Sequence, residues 1–142
     1  MNYALKLAQK ASDHGEVPVG CVIVRNNEIV SEAYNEVEKK GLVSAHAEMI
    51  AIEKATMKIN NKYLHGCTLY VTLEPCPMCA SALVWSKIDR IVFGAMDPKA
   101  GACGTLFNLA NSNKLNHRIE IIHGILETEC EQLLKNFFLK KR

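Results

Sequence analysis

The chain has 142 residues, of which 49% are hydrophobic and 23% charged, and this composition is typical of a globular protein with a core of its own. Its formal net charge of +2 excludes a strongly basic protein that binds nucleic acid through charge alone. The longest apolar runs, residues 17–24 and 79–85, are much shorter than the roughly 20 residues that cross a bilayer, so we expect no membrane partner.

Residues 1–14 predict an amphipathic helix rather than an export signal. They lack the basic start, the apolar middle and the small-residue cleavage site of a secretory signal, so we expect a cytoplasmic protein. In that reducing compartment the six cysteines do not predict a disulfide framework, and metal binding or catalysis is favoured for some of them. Four have apolar or small neighbours and are predicted to be buried structural thiols: Cys21, Cys67, Cys103 and Cys130.

After the first helix, the chain is predicted to form a hairpin and then alternating helices and strands. The hairpin is predicted from an apolar run over residues 19–24, a polar turn and a second apolar stretch over residues 29–34. The later elements are a helix over residues 45–58, a strand over 68–73, a helix over 77–86, strands over 90–94 and 119–122, and a helix over 126–139. This order predicts one α/β domain, residues 1–142, built as a three-layer α/β/α sandwich around a mixed five-stranded sheet.

Three later segments are candidates for a functional role. The loop over residues 97–104 is rich in glycine, and loops of this kind often carry function. Phe137 and Phe138 are neighbours in the last helix, where successive side chains point about 100° apart, so we expect one in the core and the other at the surface. The basic tail, residues 140–142, either attracts phosphates or is a solvated chain end.

The segment Cys76-Pro77-Met78-Cys79 places two thiols at the predicted start of a helix. Residues three apart lie on one face of a helix, so both sulfurs can reach the same ion. The positive end of the helix favours the thiolates that a metal requires. Zinc needs a further protein ligand, and His46 is the candidate, because three protein ligands and a water make a catalytic site whereas four make a structural one.

Glu48 is the candidate acid and base beside that metal. It follows His46 by two residues, and both side chains can face one pocket only at the start of a helix. Ser44 offers an oxygen that would cap this helix, which predicts that His46 and Glu48 lie in its first turn. Two thiolates offset the charge of Zn²⁺, so a bound water is acidified less than in an all-histidine site and needs a neighbouring base. Glu48 can take its proton, deliver it to a ring nitrogen and later protonate a departing amine.

The two thiols alone do not identify the chemistry. A C-x-x-C pair at a strand-to-helix junction is also typical of a thioredoxin-like redox site. The complete pattern, H-x-E over residues 46–48 followed by P-C-x-x-C over residues 75–79, is the signature of zinc-dependent nucleobase deaminases. The pattern therefore favours a deaminase over a redox site or a structural zinc site.

Residues 46–48 and 72–79 resemble the cytidine/deoxycytidylate deaminase superfamily. The chain is most similar to its bacterial tRNA adenosine deaminases over nearly the whole length, through residues 16–20, 97–99, 116–118 and 137–138. The resemblance implies a cytidine deaminase-like fold and a homodimer with one Zn²⁺ per subunit. It also implies hydrolytic conversion of adenosine to inosine at the wobble position of a tRNA anticodon, that of an arginine tRNA. An anticodon suits this chemistry because bases leave a single-stranded loop at low cost.

The same resemblance implies roles for individual residues. It implies that His46, Cys76 and Cys79 hold zinc and that Glu48 is the acid and base. The implied substrate-binding residues are Asn35 on the flipped base, Ala47 through its backbone, and Asp97, Lys99, Asn116 and Phe138 near the anticodon loop.

The chain departs from the usual family pattern at Met96 and at residues 41–44, which leaves the RNA contacts there open. Tyr34 stands where tryptophan is frequent, but it is also aromatic and can fill a similar space. Two other functions also stay open. A deaminase of free guanine or cytosine compounds would use the same zinc chemistry on a small substrate. A noncatalytic zinc-stabilised RNA-binding module would keep its RNA function after Glu48→Ala.

Overall fold

The strands and helices follow one another in the predicted order, with one additional short helix. The structure, a computed structural model, describes residues 1–141, so Arg142 at the end of the basic tail lies outside the described residues. No helix within residues 1–141 has the length and apolar character needed to cross a membrane. The elements are α1 (Asn2–Asp13), β1 (Gly20–Arg25), β2 (Glu28–Tyr34), α2 (Val37–Lys40), α3 (Ala47–Ile59), β3 (Thr68–Leu73), α4 (Pro77–Trp85), β4 (Arg90–Ala95), β5 (Glu120–Ile122) and α5 (Glu127–Lys140).

The five strands form one mixed sheet in the order β2-β1-β3-β4-β5. β1 pairs antiparallel with β2 and β3, whereas β4 runs parallel to both β3 and β5. Parallel neighbours need a long crossover, and α4 supplies the one between β3 and β4. The predicted mixed five-stranded sheet is confirmed.

The hairpin between β1 and β2 closes through Asn26 and Asn27. Their φ angles are 52° and 62°, so both central residues of the turn have positive φ. This is the requirement of a type I′ turn, whose twist matches that of the two strands, and asparagine tolerates it better than most residues. The sequence signal for this hairpin is therefore explained by the turn itself.

Helices cover both faces of the sheet. α1 and α5 pack together on one face, while α3 packs against β1 and β2 on the other and touches α4. The core lies between the sheet and these helices, and its fully buried large side chains include Ile23, Leu69, Leu83, Ile91 and Phe93. The predicted three-layer sandwich is thereby confirmed.

The start of α3 differs from the prediction. The helix begins at Ala47 rather than at residue 45, and His46 is its N-cap residue with extended backbone angles (φ −69°, ψ 152°). Within residues 1–141 no side chain caps this end, so the prediction that Ser44 does so is wrong. The physical reason is that the helix begins three residues after Ser44, whereas a capping oxygen belongs to the N-cap residue, here His46. Glu48 lies in the first turn, as predicted.

Candidate metal centre and active site

The metal-binding candidates lie at the N-terminal ends of two helices. His46 is the N-cap residue of α3, and Cys76 is the N-cap residue of α4. Pro77 occupies the first turn of α4, where its missing N–H costs nothing, and Cys79 follows in the same turn. Free N–H groups and the positive end of each helix favour anionic ligands at this place.

The three side chains converge on one point. Their ligand atoms all lie within 4.8 Å of one another. His46 presents Nδ1, which lies 3.6 Å from Cys76 Sγ and 3.4 Å from Cys79 Sγ. Zn–S distances of about 2.3 Å and Zn–N distances of about 2.0–2.1 Å would separate these atoms by about 3.6 Å in a tetrahedral site. The donor set and its spacing therefore fit zinc, with one coordination position left for water.

Cys76 is the first of the two thiols to ionise. Hydrogen bonding to Cys79 and the adjacent His46 ring lower the pKa of Cys76 to about 4. The pKa of Cys79 is raised, because its S–H group bonds Cys76 and because burial disfavours a second negative charge. Binding of a metal to both sulfurs must displace the proton that the raised pKa favours on Cys79.

Glu48 is a buried carboxyl group beside these ligand candidates. Burial disfavours its charged form and raises the pKa of Glu48 above its ordinary value. The charge of a metal bound nearby would act in the opposite direction. A buried carboxyl group whose pKa is raised by burial, beside a site that fits a metal, is a candidate general acid and base.

A cavity of about 300 Å³ opens on Glu48, His46 and Cys76. This volume is at the lower end of the range of about 300–1,000 Å³ that small-molecule sites occupy. Three of the predicted substrate contacts, Asn35, Ala47 and Asp97, lie in its wall. Apolar side chains complete much of the lining; they include Val17, Val19, Leu73 and Phe137.

The side chain of Asn35 is held in a fixed orientation. Its Nδ2 group donates to Val17 O at 3.2 Å, and its Oδ1 atom accepts from the backbone N–H of Val37 at 3.2 Å. An amide side chain has two donor hydrogens and two acceptor lone pairs. One of each therefore remains for a molecule in the cavity.

A wider groove of about 710 Å³ adjoins the cavity. Val17, Leu73 and Asp97 line both spaces, while Lys99 and Phe138 line the groove alone. Asp97 Oδ1 also accepts from its own loop, at 2.9 Å from the N–H of Lys99. Three of the four residues predicted near an anticodon loop, Asp97, Lys99 and Phe138, thus lie on one continuous surface with the candidate metal centre.

The two adjacent phenylalanines of α5 differ in exposure. Phe137 is 6% exposed and lines the cavity, whereas Phe138 is 48% exposed and lines the groove. The prediction that one is buried and the other lies at the surface is confirmed. The four remaining cysteines, including Cys103 in the glycine-rich loop, are buried as predicted.

Asn116 lies apart from the other predicted contacts. It lines a separate cavity of about 340 Å³ together with Trp85 and Leu115. Trp85 is 74% exposed and Leu115 is also exposed, so apolar surface surrounds this place. Within one copy of the chain, Asn116 is not brought to the cavity that contains Glu48.

Two buried carboxylates at the cavity, Glu16 and Glu74, were not predicted from the sequence. They are 2% and 1% exposed, and each accepts hydrogen bonds from the backbone of a distant segment. Glu16 accepts from the N–H of Glu38 at 2.9 Å and of Lys39 at 2.8 Å, which caps the start of α2. The sequence signal for Glu74 was its place two residues before Cys76. Neighbouring residues do not indicate the hydrogen-bond donors of either carboxylate.

We expect Glu16→Ala to lower the free energy of unfolding by about 2–4 kcal/mol, because it leaves two N–H groups at the start of α2 without their charged acceptor. Urea unfolding measures this loss. Glu28→Ala, which removes an exposed carboxylate at the start of β2, is the matched control and should shift the value by less than about 0.5 kcal/mol. Equal stability of the two variants would contradict the capping role of Glu16.

Comparison with known proteins agrees with this geometry. Residues 1–95 match the family model described as the cytidine and deoxycytidylate deaminase zinc-binding region. The tRNA-specific adenosine deaminase of Bacillus subtilis (strain 168) is 49% identical over 142 residues, which covers 100% of this chain and 88% of that protein.

Solved structures resemble the chain as well. A structure from work on A-to-I editing by tRNA:A34 deaminases at the wobble position of transfer RNA has a TM-score of 0.91 at 35% identity, and the match covers 94% of this chain and 97% of that one. A guanine deaminase from Nitrosomonas europaea has a TM-score of 0.81 at 22% identity, covering 96% of this chain and 81% of that one. At that identity the second match shows a shared fold only.

Proposed function

The chain belongs to the cytidine and deoxycytidylate deaminase family and, within it, to the tRNA-specific adenosine deaminases, and we propose that it hydrolyses adenosine to inosine at the wobble position of a tRNA anticodon. An arginine tRNA is the proposed substrate. The observation that carries the proposal is the convergence of His46, Cys76 and Cys79 beside the buried Glu48, in a cavity that continues into a groove.

The proposed reaction adds one water to C6 of adenine and releases one ammonia. Zinc held by His46, Cys76 and Cys79 would acidify a water molecule and so supply the nucleophile. Glu48 accepts a proton from the water and delivers it to the ring nitrogen next to C6. It then transfers the second proton of that water to the amino group, which departs as ammonia and leaves the C6 carbonyl of inosine.

The cavity wall supports recognition of a single base. The free N–H and lone pair of Asn35 are donor and acceptor for the edge of a purine, and Ala47 offers its backbone without a bulky side chain. The apolar lining, including Val19 and Leu73, excludes water from the base. A base can reach this depth only after leaving its stack, which costs least in a single-stranded loop.

The groove supports binding of the neighbouring nucleotides. Lys99 and Lys135 bring positive charge to it, and Phe138 offers an aromatic face. Lysines beside an exposed aromatic ring are typical of surfaces that hold the backbone of a single strand and stack its bases. We therefore assign Asp97, Lys99 and Phe138 to the RNA contact surface.

We expect Phe138→Ala to weaken binding of an anticodon stem-loop about tenfold, because one stacking contact is lost. The matched variant is Phe137→Ala, which should lower the free energy of unfolding by about 3–5 kcal/mol because its ring is buried. Fluorescence anisotropy measures RNA affinity and urea unfolding measures stability. Unchanged affinity of a stable Phe138→Ala protein would remove Phe138 from the contact surface.

The proposed active form is a cytoplasmic homodimer in which each chain, residues 1–142, is one domain with one zinc ion. Support for the dimer comes from the exposed Trp85 and the neighbouring Leu115, which a second copy would cover. In such a dimer Asn116, which lies outside the cavity of its own chain, contacts the RNA held by the other subunit.

A substrate panel tests the proposal. The zinc-loaded protein is offered the anticodon stem-loop, free adenosine, guanine and cytidine at two salt concentrations. We expect turnover of the stem-loop alone, with a rate that falls as salt rises because phosphate contacts release counterions. Efficient turnover of free guanine or cytidine would replace the proposal with a small-molecule deaminase. RNA binding without deamination, unchanged by Glu48→Ala, would indicate a noncatalytic module.

A further inference from the structure

Glu74 lies between the candidate metal centre and the loop over residues 97–105. It directly follows β3 and precedes Cys76 by two residues. Its backbone N–H donates to Ala95 O at 2.9 Å, so the residue is held against the end of β4. Its side chain is 1% exposed and borders the substrate cavity.

The carboxylate of Glu74 is bonded entirely by this loop. Oε1 accepts from the N–H of Asp97 at 3.1 Å and from the hydroxyl of Thr105. Oε2 accepts from the N–H of Cys103 at 3.0 Å and of Thr105 at 3.1 Å. Among residues 1–141, no lysine or arginine forms an ion pair with Glu74. Burial of this charge is therefore compensated by four hydrogen bonds that span both ends of the loop.

The loop that Glu74 holds forms part of the substrate-binding surface. Asp97 and Ala100 line the cavity, and Asp97 and Lys99 line the groove. The N–H of Ala102 also donates to Pro75 O at 2.9 Å, next to the candidate ligand Cys76. Contacts with Glu74 and Pro75 thus join these walls to the segment that carries Cys76.

Gly101 shows how closely the loop approaches the carboxylate. A Cβ atom at this position would lie 2.5 Å from Glu74 Oε1 and 2.6 Å from Asp97 O. Atoms at such distances overlap, so any larger residue would push the loop away from Glu74. The lack of a side chain at Gly101 and the four hydrogen bonds of Glu74 are two independent features of the contact between the loop and this carboxylate.

We infer that Glu74 is a positioning residue. It holds the loop over residues 97–105 in the place where the loop can bind the target nucleotide and the nucleotides that flank it. The inference rests on the proposed function for its substrate. Both carboxylate oxygens of Glu74 accept from the loop, so its substitution is expected to raise KM for the RNA while kcat changes little.

Glu74→Gln tests the inference with almost no change of shape. In either orientation the new NH₂ group faces at least one of the loop N–H groups and cannot accept from it. We expect KM for the stem-loop to rise about tenfold, with kcat within about threefold of wild type. Exchange of the amide hydrogens of Asp97, Cys103 and Thr105, followed by NMR, should accelerate at least about tenfold at one or more of them.

A second pair of variants leaves Glu74 in place. Thr105→Val removes the hydroxyl donor and should shift KM and amide exchange in the same direction as Glu74→Gln, whereas Thr105→Ser keeps the donor and should behave as wild type. This pair decides the question if Glu74→Gln does not fold. Glu16→Gln, which alters a different buried carboxylate, should leave the exchange of the three loop amides unchanged.

The outcomes separate this inference from the proposed function. Active wild type with unchanged KM and unchanged amide exchange in Glu74→Gln and Thr105→Val would overturn the positioning role. A fall in kcat with unchanged KM would also overturn it, because Glu74 would then act on the chemical step. Wild type that is inactive on RNA would refute the proposed function, while the amide exchange would still decide whether Glu74 holds the loop.

Discussion

Replacing Glu48 with glutamine is expected to lower kcat for inosine formation by about 10³–10⁴-fold. Glutamine has nearly the same shape but can neither take a proton from water nor return one to the leaving amine. The proposed reaction uses Glu48 for both transfers, so no part of the proton path survives. Single-turnover measurement of inosine at saturating RNA isolates this loss from substrate binding.

The controls for Glu48→Gln are its zinc content and its RNA affinity. Glu48 is buried beside the ligand candidates without being one of the three that converge. Zinc per chain and the Kd for the stem-loop should therefore remain at wild-type values. A Glu48→Gln protein with full zinc and at least a tenth of wild-type kcat would refute its role as acid and base.

Replacing Cys76 with serine is expected to weaken zinc binding by more than about a hundredfold, since even residues that only orient metal ligands contribute about 10–100-fold. The change removes the thiol whose pKa is lowered to about 4 and puts in its place a hydroxyl that stays protonated. Deamination should fall to background with the zinc content, which elemental analysis measures.

Cys67→Ala is the matched control for Cys76→Ser. Cys67 is a buried thiol outside the converging set, so zinc content and activity should persist in this variant. Cys76→Ser that keeps stoichiometric zinc would show that the cluster of His46, Cys76 and Cys79 is not the metal site.

Elements with a strong local signal were predicted well from the sequence. Asn26 and Asn27 supply the positive φ that a tight hairpin needs, and both strands follow from their apolar runs. Pro77 marks the first turn of α4 and so fixes Cys76 at its N-cap. In these places a few consecutive residues determine the backbone, and the sequence is sufficient.

One short helix and the start of another were not predicted from the sequence. The short helix α2 is capped by Glu16, whose carboxylate reaches it from 22 residues earlier in the chain. The start of α3 was predicted too early, because Ser44 is a residue type that often caps helices but does not occupy the N-cap position here. For α2, a tertiary contact thus outweighs local preference at a helix end that the sequence specifies only weakly.

The residues of the candidate site also fall into those that have a local sequence signal and those that do not. Residue types and spacing identified His46, Glu48, Cys76 and Cys79, because metal ligation and proton transfer require particular side chains. The carboxylate of Glu74 was not identified, since three of its four hydrogen bonds come from backbone groups 23 to 31 residues away, which any sequence would carry. Asn116 was identified from resemblance alone, and its place outside the cavity follows from the fold.

Wobble deamination is measured by mapping inosine in a transcribed arginine-tRNA anticodon stem-loop after incubation with the zinc-loaded protein. We expect inosine at the wobble adenosine, none at other adenosines, and none when the protein carries Glu48→Gln at equal zinc content. A folded, zinc-loaded protein that leaves the wobble adenosine unchanged would refute tRNA adenosine deamination by this chain.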